Sequence, residues 1–303
     1  MASVKHNLEY ALALSSTKFA RMLSPKAADR LAVGLGNLVY RLSGSRRDIA
    51  YNNLKMALGD DLSDHEIREI VHRVFQNVAR SLIEFARFGK VGRDRVRQVF
   101  VGDDRGILAK VHAGGKGAIL TTAHYGNWEL TGSYPALHGY PVDFLVGDQH
   151  NEKVDNLVND FRRQIGVGII SAKTGLRSVF KCLKENRILG ISPDQHAPSG
   201  RLVMNFFGRP ASVAKGAALF AIRANSVILP VVSRRERYDR HVITFADPIY
   251  PPDTGDEEAD IRTMVETYNR FFEAEIRKYP DQWMWTHRRW KLDMPGNKTK
   301  SGA

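Results

Sequence analysis

His124-Tyr-Gly-Asn-Trp-Glu129 sets an imidazole and a carboxylate five positions apart, directly after the apolar run Ala118-Ile-Leu-Thr-Thr-Ala123. That run reads as a short buried strand. Gly126 and Asn127 read as a turn, or as the cap of a following helix. A histidine at the C-terminal end of a strand, with a carboxylate just past the turn, suits general-base chemistry. Glu129 would hold one ring nitrogen of His124 protonated and leave the other free to take a proton. The same pair also fits a structural hydrogen bond, or two unrelated surface residues. Its company along the chain decides the matter.

The surrounding elements alternate. Strands are expected over 117–123, 142–146, 168–170, 188–191, 227–232 and 241–245. Helices are expected over 153–165, 176–185, 214–224 and 260–278. This alternation predicts an α/β fold, with a sheet covered by helices on both faces. A further helix is expected over 62–88, where Ser63 and Glu66 form a capping box.

Residues 1–45 form an amphipathic segment ahead of a main domain over 46–293. The polar tail, 294–303, is expected to be disordered. In the first segment Leu8, Ala11, Leu12, Phe19, Met22 and Leu23 share a helical face among basic residues. The first 60 residues carry nine Lys/Arg against four Asp/Glu. Such a face suits either a membrane interface or the protein's own core. The best apolar run, 31–40, is half the ~20 residues needed to span a bilayer. The segment is therefore expected to lie on a membrane rather than cross it, and the N-terminus is not a conventional signal peptide.

With 303 residues and 43% hydrophobic content, the chain can bury a large core. A net charge of +12 suits an anionic partner, whether nucleic acid, an anionic membrane surface or an acidic protein, or else a generally basic soluble enzyme. Zinc-finger spacing, RNP aromatics and a helix-turn-helix signature are all missing, which argues against nucleic acid. The single cysteine, Cys182, excludes an internal disulfide framework and a cysteine-rich zinc site. No metal cluster or cofactor is called for.

Ligand groups in α/β sheets gather beyond the strand C-termini. That edge offers His124 and Glu129, then Ser192-Pro-Asp-Gln-His196, then Ser233-Arg-Arg-Glu-Arg237. The helix over 153–165 adds Arg162 and Arg163. In this arrangement His124-Tyr-Gly-Asn-Trp-Glu-Leu130 resembles the HxxxxD/E motif of the bacterial lipid A biosynthesis acyltransferases, within the lysophospholipid acyltransferase superfamily. The resemblance extends through Arg162-Arg-Gln-Ile-Gly166, Pro193-Asp-Gln195, Asn205-Phe-Phe-Gly-Arg-Pro210, Leu229-Pro230 and Asp281–Lys291. The Phe-Phe-Gly-Arg-Pro block and the Trp/Arg-rich ending are its most specific parts.

The resemblance implies a mixed, mostly parallel sheet of the glycerol-3-phosphate-acyltransferase type. It also implies transfer of an acyl group from acyl carrier protein to a hydroxyl of a membrane glycolipid, with lipid A precursors first and other glycolipids or phospholipids as alternatives. His124 would be the base and Glu129 its orienting carboxylate. The attacking hydroxyl belongs to the acceptor, so no acyl-enzyme is needed and Cys182 is a bystander. The substrate-binding residues would be Arg162, Asp194, Asn127 and Arg209. Arg162 would meet the oxyanion or an acceptor phosphate. Asp194 would order the site or bind acceptor hydroxyls, or else merely form a turn. Arg209 would contact an anion beside Phe206 and Phe207. The tryptophans at 283, 285 and 290 suit a lipid interface or a packed cap. His196 and His287 are read as structural or surface residues. Family members often begin with a strongly hydrophobic helix; the interrupted segment here implies peripheral attachment to the cytoplasmic face of the inner membrane.

Overall fold

The computed structural model describes residues 2–102, 106–147, 150–173, 175–197 and 201–291. The expected disordered tail, 294–303, lies outside the described residues. The chain opens with α1 (Ala2–Met22), α2 (Pro25–Leu42), α3 (Gly44–Leu58), α4 (Asp64–Val91) and the short α5 (Arg93–Arg97). There follow β1 (Phe100–Val101), α6 (Ile107–Ala113), β2 (Ala118–Thr121), α7 (Trp128–Leu137), β3 (Val142–Val146), α8 (Glu152–Gln164) and β4 (Val167–Ser171). After α9 (Leu176–Lys184) come β5 (Ile188–Ile191) and the hairpin strands β6 (Arg201–Phe206) and β7 (Arg209–Ala214). The chain then forms α10 (Gly216–Ala224), β8 (Val227–Arg237), β9 (Arg240–Phe245) and α11 (Glu257–Lys278).

The main sheet has seven strands in the order β1-β9-β8-β2-β5-β3-β4. The five from β8 to β4 run parallel to their neighbours, and β9 turns back antiparallel on β8. Successive residues of β2 face opposite sides, so Ile119 joins one core and Leu120 the other. The first core holds α9, α10, α11, the β6/β7 hairpin and the C-terminal tryptophans; the second holds α7 and Phe161 of α8. The mixed, mostly parallel α/β sheet with helices on both faces is the one the sequence implies.

The α4 helix starts as its capping box dictates: Ser63 accepts from Glu66 N–H while the Glu66 carboxylate accepts from Ser63 N–H. Strand β8 is longer than expected. Ser233–Arg237 continues it rather than following it, because Ser233, Arg234 and Arg235 all pair with β9. The Phe-Phe-Gly-Arg-Pro block is the turn of the β6/β7 hairpin.

The N-terminal helices pack on the core with one face and leave another apolar face exposed. Helix α1 packs against α4 and α8, with Ala20 fully buried and Arg87 donating to Leu23 O at 2.7 Å. Its other face exposes Val4, Leu8, Leu12, Phe19 and Met22, and α2 exposes Leu38, Val39 and Leu42. Among the described residues, no helix is long and apolar enough to cross a membrane.

Candidate active site

Strands β2 and β5 are parallel neighbours, and Thr121 lies opposite Ile191 at their C-terminal ends. Three residues past each partner the chain reaches His124 and Asp194. Equal steps from a shared level bring the two side by side. His124 Nδ1 lies 2.7 Å from Asp194 Oδ1, and its backbone N–H donates to Asp194 Oδ2 at 2.8 Å. Trp283 Nε1–H donates to the same Oδ2, also at 2.8 Å. With Asp194 accepting from Nδ1–H, Nε2 is left as the basic nitrogen.

Asp194 is 1% exposed while the His124 ring is 21% exposed. Burial disfavours an imidazolium, yet the Asp194 carboxylate, with help from Glu129, raises His124 above the ordinary imidazole value. Burial would likewise raise Asp194, but His124 and the Trp283 hydrogen bond leave it below the usual carboxylate range.

The carboxylate that orients His124 is thus Asp194, not Glu129. Glu129 lies in the first turn of α7 and turns to α8, where Arg162 grips it twice: Nε to Oε2 at 2.9 Å and Nη2 to Oε1 at 2.6 Å. A bidentate arginine outcompetes a single imidazole N–H for a carboxylate. Arg162 Nη1 donates to Asn159 Oδ1 at 2.8 Å, which fixes the guanidinium plane.

His124, Glu129 and Arg162 all line one cavity of about 250 Å³. Apolar Leu120, Phe144 and Ile191 also line it. The Phe144 ring lies against Gly132 and Gly190, where an added Cβ would come within 2.5 and 2.7 Å of it. The arrangement can take a proton at Nε2 beside an arginine held ready for developing negative charge.

Two expected binding residues are elsewhere. Asn127 is fully buried and caps α7, accepting from Leu130 N–H and donating to Glu84 Oε2 at 2.8 Å. Arg209 is exposed on the hairpin, donates to Met56 O at 2.7 Å and does not line the cavity. Phe206 and Phe207 are packed in the core, and Trp283, Trp285 and Trp290 are no more than 3% exposed. The tryptophans are a packed cap, one of which reaches Asp194.

Behind the site lies a buried network that sequence reasoning missed. Arg235 binds Glu84 through Nε at 3.0 Å and Nη2 at 2.8 Å, and Nη2 also donates to Ser81 Oγ. Ser81 in turn donates to Gly126 O at 2.6 Å. Gly126 has φ +56, and a Cβ there would lie 1.8 Å from Ser233 O, so only glycine fits. The network clamps the turn between His124 and Glu129. Its sequence signal was Asn77, Ser81 and Glu84, polar residues at 4- and 3-residue spacing on a face of α4.

Residues 3–292 match the model of a family described as bacterial lipid A biosynthesis acyltransferase. The chain is 25% identical to the lipid A biosynthesis lauroyltransferase of Escherichia coli K12, over 88% of this chain and 86% of that one. It is 23% identical to the palmitoleoyltransferase of the same organism, over 86% and 84% of the two chains. It is 22% identical to the phosphatidylinositol mannoside acyltransferase of Mycolicibacterium smegmatis, over 59% of each. With a match spanning nearly the whole chain, this protein belongs to the bacterial lipid A biosynthesis acyltransferase family.

Proposed function

We propose that this acyltransferase moves a fatty acyl group from an acyl carrier protein thioester to a hydroxyl of a lipid A precursor. One observation carries the reading: His124, fixed by buried Asp194, opens onto the cavity that Arg162 also lines. The acceptor hydroxyl gives its proton to His124 Nε2 as its oxygen attacks the thioester carbonyl. Asp194 stabilises the imidazolium that forms. Arg162 faces the oxyanion of the tetrahedral adduct, and Glu129 holds its guanidinium in plane. Collapse breaks the C–S bond, and the imidazolium returns the proton to the departing thiolate. The acyl chain extends along the apolar wall at Phe144 and Ile191.

A covalent intermediate has no part in this scheme. Cys182 is buried in α9, does not line the cavity, and burial pushes its thiol up to about 12.

Residues 1–45 form the membrane-facing segment and 46–293 the catalytic domain. The exposed stripe of α1 and α2 enters the interface of the inner membrane from the cytoplasmic face, and exposed Lys18, Lys26 and Arg30 meet anionic headgroups. A second acceptor class, another glycolipid, is favoured by the likeness to the mannoside acyltransferase.

The test is acyl transfer by the purified protein, offered acyl carrier protein and coenzyme A thioesters against lipid A precursor and phosphatidylinositol mannoside. Transfer from the carrier protein to the lipid A precursor, lost in His124→Ala, is expected. Full turnover in a folded His124→Ala variant would refute the base assignment.

A further inference from the structure

The two segments that build the dyad continue past it and meet again. Asp194 leads to His196, and Trp283 leads to His287; the His196 backbone N–H donates to His287 Nε2 at 3.0 Å. These histidines border a second cavity, of about 510 Å³, whose other walls are Ser45, Arg46 and Ile49 of α3 together with Arg288 and Lys291. His287 is close enough to the catalytic pair that the charges of both Asp194 and His124 act on it.

The lining is cationic, and none of its described residues is acidic. Arg46 contributes one Nη1 bond to Thr286 O at 3.1 Å. Arg288 is exposed and forms no ion pair among the described residues. In the first cavity, by contrast, Arg162 is already neutralised by Glu129. Excess positive charge beside the dyad therefore sits in the second cavity. Burial, with nearby cations, holds His287 down to about 4 and lowers His196 as well, so neither histidine supplies that charge at neutral pH. It comes from Arg46 and Arg288.

We propose that this second cavity binds a phosphate ester of a substrate, with Arg46 and Arg288 as its principal ligands. Arginine forks suit phosphate oxygens. The inference rests on the acyl-transfer reading for its choice of ligand. Two substrates carry this chemistry: the phosphorylated sugar of a glycolipid headgroup, and the phosphopantetheine arm of an acyl carrier protein.

Calorimetric titration of the full chain with glucosamine 1-phosphate, 4′-phosphopantetheine, inorganic phosphate and unphosphorylated glucosamine tests it. At least one phosphate ester should bind, glucosamine should not, and affinity should fall as salt rises. Arg46→Gln and Arg288→Gln should each weaken binding about tenfold, and the double variant should abolish it. Both side chains are exposed, so these variants should fold. Binding of the sugar phosphate alone supports the site and assigns it to the acceptor; binding of phosphopantetheine alone supports it and assigns it to the donor. Failure of every phosphate probe to bind, or affinity unchanged in the double variant, overturns the proposal. His124→Ala should keep the binding and lose acyl transfer, so a failed acyl-transfer reading would leave the calorimetric result standing.

Discussion

Glu84 and Glu129 each hold an arginine with two hydrogen bonds, and both pairs abut the turn over 124–129. Their settings differ. Glu84 and Arg235 are each 3% exposed, and Asn127, Ser81 and the main chain satisfy their remaining groups. Burial alone would raise Glu84, but Arg235 and His241 leave it well below the usual carboxylate range. Glu129 and Arg162 are 15% and 13% exposed at a cavity. A sealed pair can only position other groups, while an open pair can respond to charge that develops in a ligand. The same two residue types are therefore sealed in the fold in one place and open to the candidate site in the other.

The largest effect should come where the open side meets the base. His124→Ala should lower turnover by about 10²–10⁴-fold with little change in melting temperature. Asp194→Asn should also lower turnover and shift its pH profile. In the wild-type protein the raised imidazole value places the ascending limb of kcat/KM above about pH 6.5. Without the Asp194 charge, burial dominates and the limb should move to lower pH. An unmoved limb would show that Asp194 does not act through His124.

Next is the sealed pair. Glu84→Gln should cost about 3–5 kcal/mol of stability, read by denaturant unfolding, because it leaves a buried arginine uncompensated. Equal stability with lost turnover would collapse the contrast between the pairs. Glu129→Gln should do the reverse: turnover falls by about tenfold or more, and unfolding changes by less than it does in Glu84→Gln. Smallest is the exposed apolar face of α1. Leu8→Gln with Leu12→Gln should weaken binding to anionic vesicles by about tenfold without altering the melting temperature, since both side chains are exposed. Unchanged vesicle binding would remove the membrane role of α1.

The pH dependence of folding follows from the same dyad. The raised His124 value means that its contribution to stability is complete below the unfolded imidazole value and lost as pH rises through the folded one. The lowered Asp194 value works in the opposite sense: its contribution is present above about pH 4 and lost on acidification through the folded value. The dyad should therefore stabilise the protein most in the window between those two limits.

Local signals carried a large share of the architecture. The buried run at 118–121, the capping box at Ser63 and the alternation of strands with helices all depend on neighbouring residues, so they are written in order along the chain. The same holds for His124 as base candidate at the end of a strand. The partner of His124 was a different kind of question. Glu129 is five positions away and Asp194 seventy, and nearness in sequence favoured the wrong one.

The sequence alone determined an α/β fold and singled out His124 as a candidate base, because strand period, turn chemistry and motif spacing are short-range properties. Only the tertiary structure decided which carboxylate is bonded to that histidine. The order of the sheet places β5 beside β2, although α7, β3, α8, β4 and α9 lie between them in the chain. That adjacency sets Asp194 against His124 and leaves Glu129 to Arg162, and it exists only once the parallel strands have paired.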